Sequence, residues 1–157
     1  MDKISWTQII TAIVAVYGAI LSTVTFYMNR KEKIRTLKVS FSNGFLTFDN
    51  GSISEGMLFI NVANPGFKKV VVNIPKIILP DGKSAVFPYY QSNVHFPYTL
   101  DEGNSCNIWI GLKELSRSLY NGGYRGTVEL TAEVSDANGK KYRSKKKYYL
   151  NIDDWLK

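Results

Sequence analysis

Thr127-Val-Glu-Leu-Thr-Ala-Glu-Val134 has the plainest period in this chain, with Val128, Leu130, Ala132 and Val134 falling on one face and Thr127, Glu129, Thr131 and Glu133 on the other. A repeat of two is that of a β-strand buried on one side. Asp136-Ala-Asn138-Gly139 follows, and an Asn-Gly pair suits a tight hairpin because both residues tolerate the left-handed backbone such a turn needs. Lys140 to Leu150 therefore reads as the return strand. Outward from this hairpin the pattern repeats. Leu58, Ile60 and Val62 alternate before Asn64-Pro-Gly66, Val70, Val72 and Ile74 alternate after it, and Pro80-Asp-Gly82 marks another turn. Cys106, Ile108 and Ile110 form a further inward face, and Leu37, Val39 and Phe41 begin the series. One segment departs from it: Leu112, Leu115 and Leu119 are at helical spacing, and Asn121-Gly-Gly123 supplies a stop.

About seven strands with turns at this frequency indicate a mainly β fold, an antiparallel two-layer β-sandwich of immunoglobulin or fibronectin-III style with one short helix, over residues 37–152. The run from Met57 to Gly82 (an apolar strand, Asn-Pro-Gly, a valine-rich strand, Pro-Asp-Gly) resembles the immunoglobulin-like sandwich modules of uncharacterised, membrane-anchored prokaryotic proteins. That resemblance is at the level of the fold and implies no particular site residues. Cys106 is the single cysteine, so the disulfide of antibody domains has no counterpart, and Trp109 alternates outward from Cys106, Ile108 and Ile110.

Ahead of the β pattern lies a stretch of a different kind. Between Lys3 and Arg30 there is no charged residue, and residues 4–28 are dominated by apolar and small side chains. A hydrocarbon core takes roughly 20 helical residues to cross, so this length predicts a transmembrane helix. Trp6 at one end and Phe26 with Tyr27 at the other suit the headgroup level. The apolar part is longer than the h-region of a cleaved signal peptide, and no small-x-small cleavage site precedes a polar start. Arg30, Lys31, Lys33, Arg35 and Lys38 follow with a single acid, Glu32, in a basic juxtamembrane linker over residues 29–36. Basic flanks stay on the cytoplasmic side, which predicts a single-pass protein of the plasma (inner) membrane with its N-terminus out and its C-terminal domain cytoplasmic. Within the helix, Thr11, Ala15, Gly18, Ala19, Ser22 and Thr23 make a stripe of small residues suited to close helix-helix packing and to a homo-oligomer.

Composition restricts the chemistry. The 157 residues carry a formal net charge of +7, with 45% hydrophobic and 21% charged residues, which excludes a disordered chain. One histidine, His95, and one cysteine exclude most metal and acid/base constellations, and no phosphate-loop, dinucleotide, nucleophile-elbow or zinc-protease motif occurs. No catalytic residue, metal or cofactor is therefore expected. Residues 140–147 hold six cations and no acid, with Lys141, Arg143, Lys145 and Lys147 on one strand face. Together with Arg30, Lys31, Lys33 and Arg35 they read either as an anionic-lipid contact or, on the strand, as a lysine-protected edge. Nucleic acid is disfavoured because no groove-reading motif accompanies them. Phe87, Tyr89, Tyr90, Phe96 and Tyr98, in a segment that repeats Phe-Pro-Tyr, read either as a partner-binding surface or as a cap on the core. Residues 153–157 read as a tail. The sequence thus points to a non-catalytic, membrane-anchored interaction or adaptor module with a protein partner. Its alternatives are an exported binding domain and an oligomeric membrane effector with a ligand-sensing domain.

Overall fold

A computed structural model describes residues 5–86 and 90–156, with the side chains of residues 31–33 left out. Helix α1, Trp6–Lys33, is continuous through the basic cluster, so most of the expected linker is helical. Arg, Lys and Glu are good helix formers, and nothing between Asn29 and Lys33 breaks the hydrogen-bond ladder. The apolar part, Trp6–Arg30, is long and apolar enough to cross a membrane and none of it is buried against the rest of the chain. Two of its threonines are satisfied within the helix: Thr11 Oγ1 donates to Thr7 O and Thr23 Oγ1 to Ala19 O, each at 2.8 Å.

The remainder is mainly β. The strands are β1 (Lys38–Gly44), β2 (Met57–Ala63), β3 (Val70–Val72), β4 (Lys76–Ile78), β5 (Ser84–Ala85), β6 (Gln91–Ser92), β7 (Tyr98–Leu100), β8 (Ser105–Gly111), β9 (Thr127–Ser135), β10 (Lys141–Arg143) and β11 (Tyr148–Asn151). Helix α2, Leu112–Asn121, stands between β8 and β9, and α3, Ile152–Trp155, follows β11. One sheet has the order β1-β2-β8-β6. The second has β9 between β4, which continues to β5, and the pair β10 and β11, while β3 and β7 form a two-stranded ribbon. Every pairing is antiparallel.

The alternation read from the sequence lands on the core. Leu58, Ile60 and Val62 of β2, Cys106 and Ile108 of β8, and Leu130, Ala132 and Val134 of β9 are fully buried in one continuous cluster that both sheets share. Each large side chain so placed is worth about 1.5–3 kcal/mol of transfer free energy. Trp109 faces outward as expected, its Nε1 donating to Gln91 Oε1 at 2.6 Å and its ring set beside Phe59.

Several details differ from the sequence reading. Ile74 does not continue the inward face of Val70 and Val72, because Pro75 cannot donate to a ladder and the chain leaves β7 there to join β9 as β4. That break moves the buried positions to Ile77 and Leu79. The return strand after Gly139 is split. Arg143 opposes Glu133 and Tyr148 opposes Leu130, so residues 144–147 face only two residues of β9 and form a bulge. Buried Ser144 pins the bulge by donating its N–H to Ala132 O (2.8 Å) and accepting from Ala132 N (3.1 Å). The expected tail instead begins with α3, whose Asn151 cap accepts from Asp153 N. Ile152 is buried there, and Trp155 closes over Gly56, where a Cβ would come within 2.6 Å of the indole.

Asn64 is the polar residue that ties the loops together. Fully buried, its Nδ2 donates to Lys68 O (2.7 Å) and Leu100 O (3.0 Å), and its Oδ1 accepts from Gly66 N (3.1 Å). Its backbone bonds Asn104 O and Gly103 N in the facing loop. A carboxylate could not donate to the two carbonyls. Asn64→Asp at neutral pH and Asn64→Ala should each cost about 1–3 kcal/mol, with the aspartate at least as harmful. Urea unfolding of both variants checks this.

Candidate functional site

The structure separates the sequence-predicted residues into distinct environments. Tyr90, Phe96 and Tyr98 are half-buried and packed on the core, with the Tyr90 and Phe96 rings edge to face at 5.9 Å, an arrangement that fits a core cap. Phe87 and Tyr89 lie outside the described residues. His95 is exposed, whereas Cys106 is fully buried and burial pushes its thiol up to about 11, so the two do not form a reactive pair. The six small residues of α1 are all exposed, on a helix whose apolar part is not buried against the rest of the chain.

The basic strand is not uniformly free. Arg143 Nε donates to Glu133 Oε2 at 2.7 Å, and Lys76 Nζ lies 3.2 Å from Glu133 Oε1. The sequence reading placed Glu133 on the solvent face, yet it is 1% exposed, shielded by the neighbouring strands β4 and β10 and their long side chains. Burial alone would raise its pKa, but the Arg143 and Lys76 cations outweigh that and hold it below the ordinary value of 4.5. Lys147 is similarly engaged, 2.7 Å from Glu129, and that bond lowers the carboxylate and raises the lysine. Arg143 and Lys147 thus belong to cross-strand ion pairs. Lys141 and Lys145 are exposed with their charges uncommitted among the described residues, as is Lys146 beside them in the bulge.

Next to this strand, the hairpin and the segment after α1 are joined. Asp136, buried, accepts through Oδ1 from Asn138 N and Lys140 N, both at 2.9 Å, which shapes the turn that Gly139 completes at φ 81°. The Tyr142 hydroxyl lies 3.3 Å from both Asp136 Oδ2 and Arg35 O. Arg30 ends the apolar span, and the side chains of Lys31 and Lys33 lie outside the described residues.

Two surface features lacked a clear sequence signal. After β1 the chain forms a small hairpin in which Phe48 N donates to Ser52 O (2.9 Å), Ser54 N to Leu46 O (2.8 Å) and Leu46 N to Ser54 Oγ (2.8 Å). This bonded frame presents Phe45 (65% exposed), Phe48 (52%) and Ile53 (65%) to solvent. The visible hint was the density of large apolar residues around Asp49-Asn-Gly-Ser52, which alternation alone would assign inward. Beside it, a groove of about 540 Å³ runs between α2 and the sheet, lined chiefly by Met57, Leu79, Val86, Trp109 and Leu115, with Glu55 and Glu114 at its rim. Tyr124 closes one side, its hydroxyl donating to Asp81 Oδ2 at 2.7 Å; that bond and Lys83 hold the Asp81 carboxyl down at about 2. An exposed apolar hairpin and a largely apolar groove can each supply contact surface.

Comparison with known proteins adds little. No family model matches the chain, and no curated protein matches it. A solved structure that it resembles is the crystal structure of the ApaA protein from Bordetella pertussis, at 12% identity and a TM-score of 0.34, covering 76% of this chain and 95% of that one. A likeness at that score carries no statement about this chain's function.

The Glu133 cluster gives a directional test. Because its pKa is lowered on folding, its contribution is fully present above the unfolded value near 4.5 and is lost as pH falls through the lower folded value. Replacing both Lys76 and Arg143 by Ala removes both pairing cations and opens Glu133 to water, and should cost about 1–3 kcal/mol at pH 7. The gap from the native protein should narrow below pH 4.5, as seen by thermal unfolding across that range.

Proposed function

We propose that the protein is a single-pass membrane protein whose β domain, an immunoglobulin-like sandwich, is a non-catalytic interaction module held at the cytoplasmic surface. The observation that carries this reading is the contrast between α1 and the rest. Trp6–Arg30 is apolar with no part buried, while the β domain closes its own core without using any residue of that helix. A helix of that length left bare in water would expose a contiguous apolar surface far beyond what soluble proteins tolerate. The cations from Arg30 to Lys38 support placement of the β domain on the cytoplasmic side.

Several ionisable groups of the β domain are engaged in structural bonds. Glu133, Glu129 and Asp81 are ion-paired, Asp136 braces a turn, and the Cys106 thiol is buried. Anchoring raises the concentration of the domain towards a partner confined to the same surface, which is how such a module would act. The rigid hairpin carrying Phe45, Phe48 and Ile53 is the surface best suited to receive that partner, being exposed, apolar and at the end of β1 remote from α1.

Topology is the deciding property. In Cys106→Ala protein, an Asp49→Cys thiol at the exposed hairpin should be protected from an impermeant maleimide in intact cells and labelled after lysis. Labelling before lysis would place the domain outside and make it an exported binding domain.

A further inference from the structure

We propose that the end of the β domain nearest α1 is a docking face for an anionic lipid surface, with Phe67 seated among the headgroups. This inference rests on the reading of α1 as a bilayer anchor and adds a second, reversible contact with the same bilayer.

The geometry begins with the link. Four residues, 34–37, separate the last residue of α1 from the first of β1, and at about 3.6 Å per residue the connection reaches no more than roughly 18 Å. It is also bound to the domain. Leu37 is buried, Arg35 O receives the Tyr142 hydroxyl at 3.3 Å and lies 3.5 Å from Lys140 Nζ, and loop 64–67 rests against the link. A Cβ built on Gly66 would stand 3.5 Å from both Ile34 O and Thr36 N. The loop from Asn64 to Lys69 and the turn from Asp136 to Lys141 are therefore fixed beside the point where α1 ends.

The side chains on that end fit a headgroup layer. Phe67, 57% exposed, is on the loop held by the buried Asn64, and Ile34, 52% exposed, is in the link beside it. Arg35, Lys68, Lys140 and Lys141 are exposed around them. Among the described residues, the neighbouring loop carries Asp101, which Lys69 neutralises at 3.0 Å, and Glu102, while Asp136 is buried and bonded to backbone N–H groups. Cations within a Debye length of an anionic leaflet contribute about 1 kcal/mol each, and an aromatic ring favours the interface. The face so defined differs from the strand surface expected from sequence: it omits Arg143 and Lys147, whose charges are taken up by Glu133 and Glu129.

The test uses the full chain, Cys106→Ala, reconstituted in vesicles and labelled with an environment-sensitive fluorophore at one new cysteine. Three positions are compared: Phe67→Cys on the face, Asp49→Cys on the remote hairpin, and Tyr17→Cys in the middle of α1. In vesicles of phosphatidylcholine with phosphatidylglycerol, the probe at 67 should shift to the blue and be quenched by headgroup spin-labelled lipid. The probe at 49 should do neither. Charge reversal of Lys68, Lys140 and Lys141 to Glu, or high salt, should abolish the effect at 67. Matching behaviour at 67 and 49, or equal quenching at 67 in neutral phosphatidylcholine, overturns the docking face. Quenching of the probe at 17 by lipid spin-labelled deep in the acyl chain shows that the anchor holds whichever way position 67 reads. Its absence sinks the anchor reading and the docking face together.

Discussion

Everything else in the β domain depends on the burial of alternate residues of β2, β8 and β9 against one another. Those inward faces are continuous, fully buried and contributed by both sheets, so neither sheet has a dry side without the other. β9 has the greatest burden, since it pairs with β4 on one side and with β10 and β11 on the other. A polar group on its hidden positions must bring its own partners. Glu133 does so with Arg143 and Lys76, and Ala132 and Ser144 bond across the bulge.

The end of the sheets nearest α1 is organised by polar bonds between loops rather than by more apolar burial. Asn64 joins the loops at one end, Asp136 shapes the adjacent hairpin, and Tyr142 connects that hairpin to Arg35 in the segment after α1. At the other end Trp155 closes over Gly56 beside Leu112 at the start of α2, and Ile152 is buried. The consequence for function is directional. One end is bound to the segment that follows the apolar helix, and the end remote from it carries the exposed Phe45, Phe48 and Ile53.

Much of this was legible in the chain because alternation reports burial directly. Val128, Leu130, Ala132 and Val134, the Asn138-Gly139 turn, the outward Trp109 and the helical spacing of Leu112, Leu115 and Leu119 all follow from local pattern and recur in the fold. What could not be read depended on contacts distant in sequence. Glu133 alternates like a solvent-facing residue, and only the arrival of β4 and β10 on its two sides hides it. Ile74 looks inward until Pro75 redirects the strand, and alternation alone does not show that Tyr90, Phe96 and Tyr98 pack on the core. The exposed hairpin was missed for the opposite reason: its apolar residues mimic a core strand while no second layer covers them.

The central claim is that the apolar helix contributes nothing to the β core. The most direct measurement is thermal and urea unfolding of residues 34–157 expressed without α1, alongside near-ultraviolet circular dichroism. The account predicts a soluble fragment with fixed aromatic packing and a single cooperative transition. A fragment that is molten, or that folds only when the helix is restored in water without lipid or detergent, would contradict it by showing that α1 is part of the core.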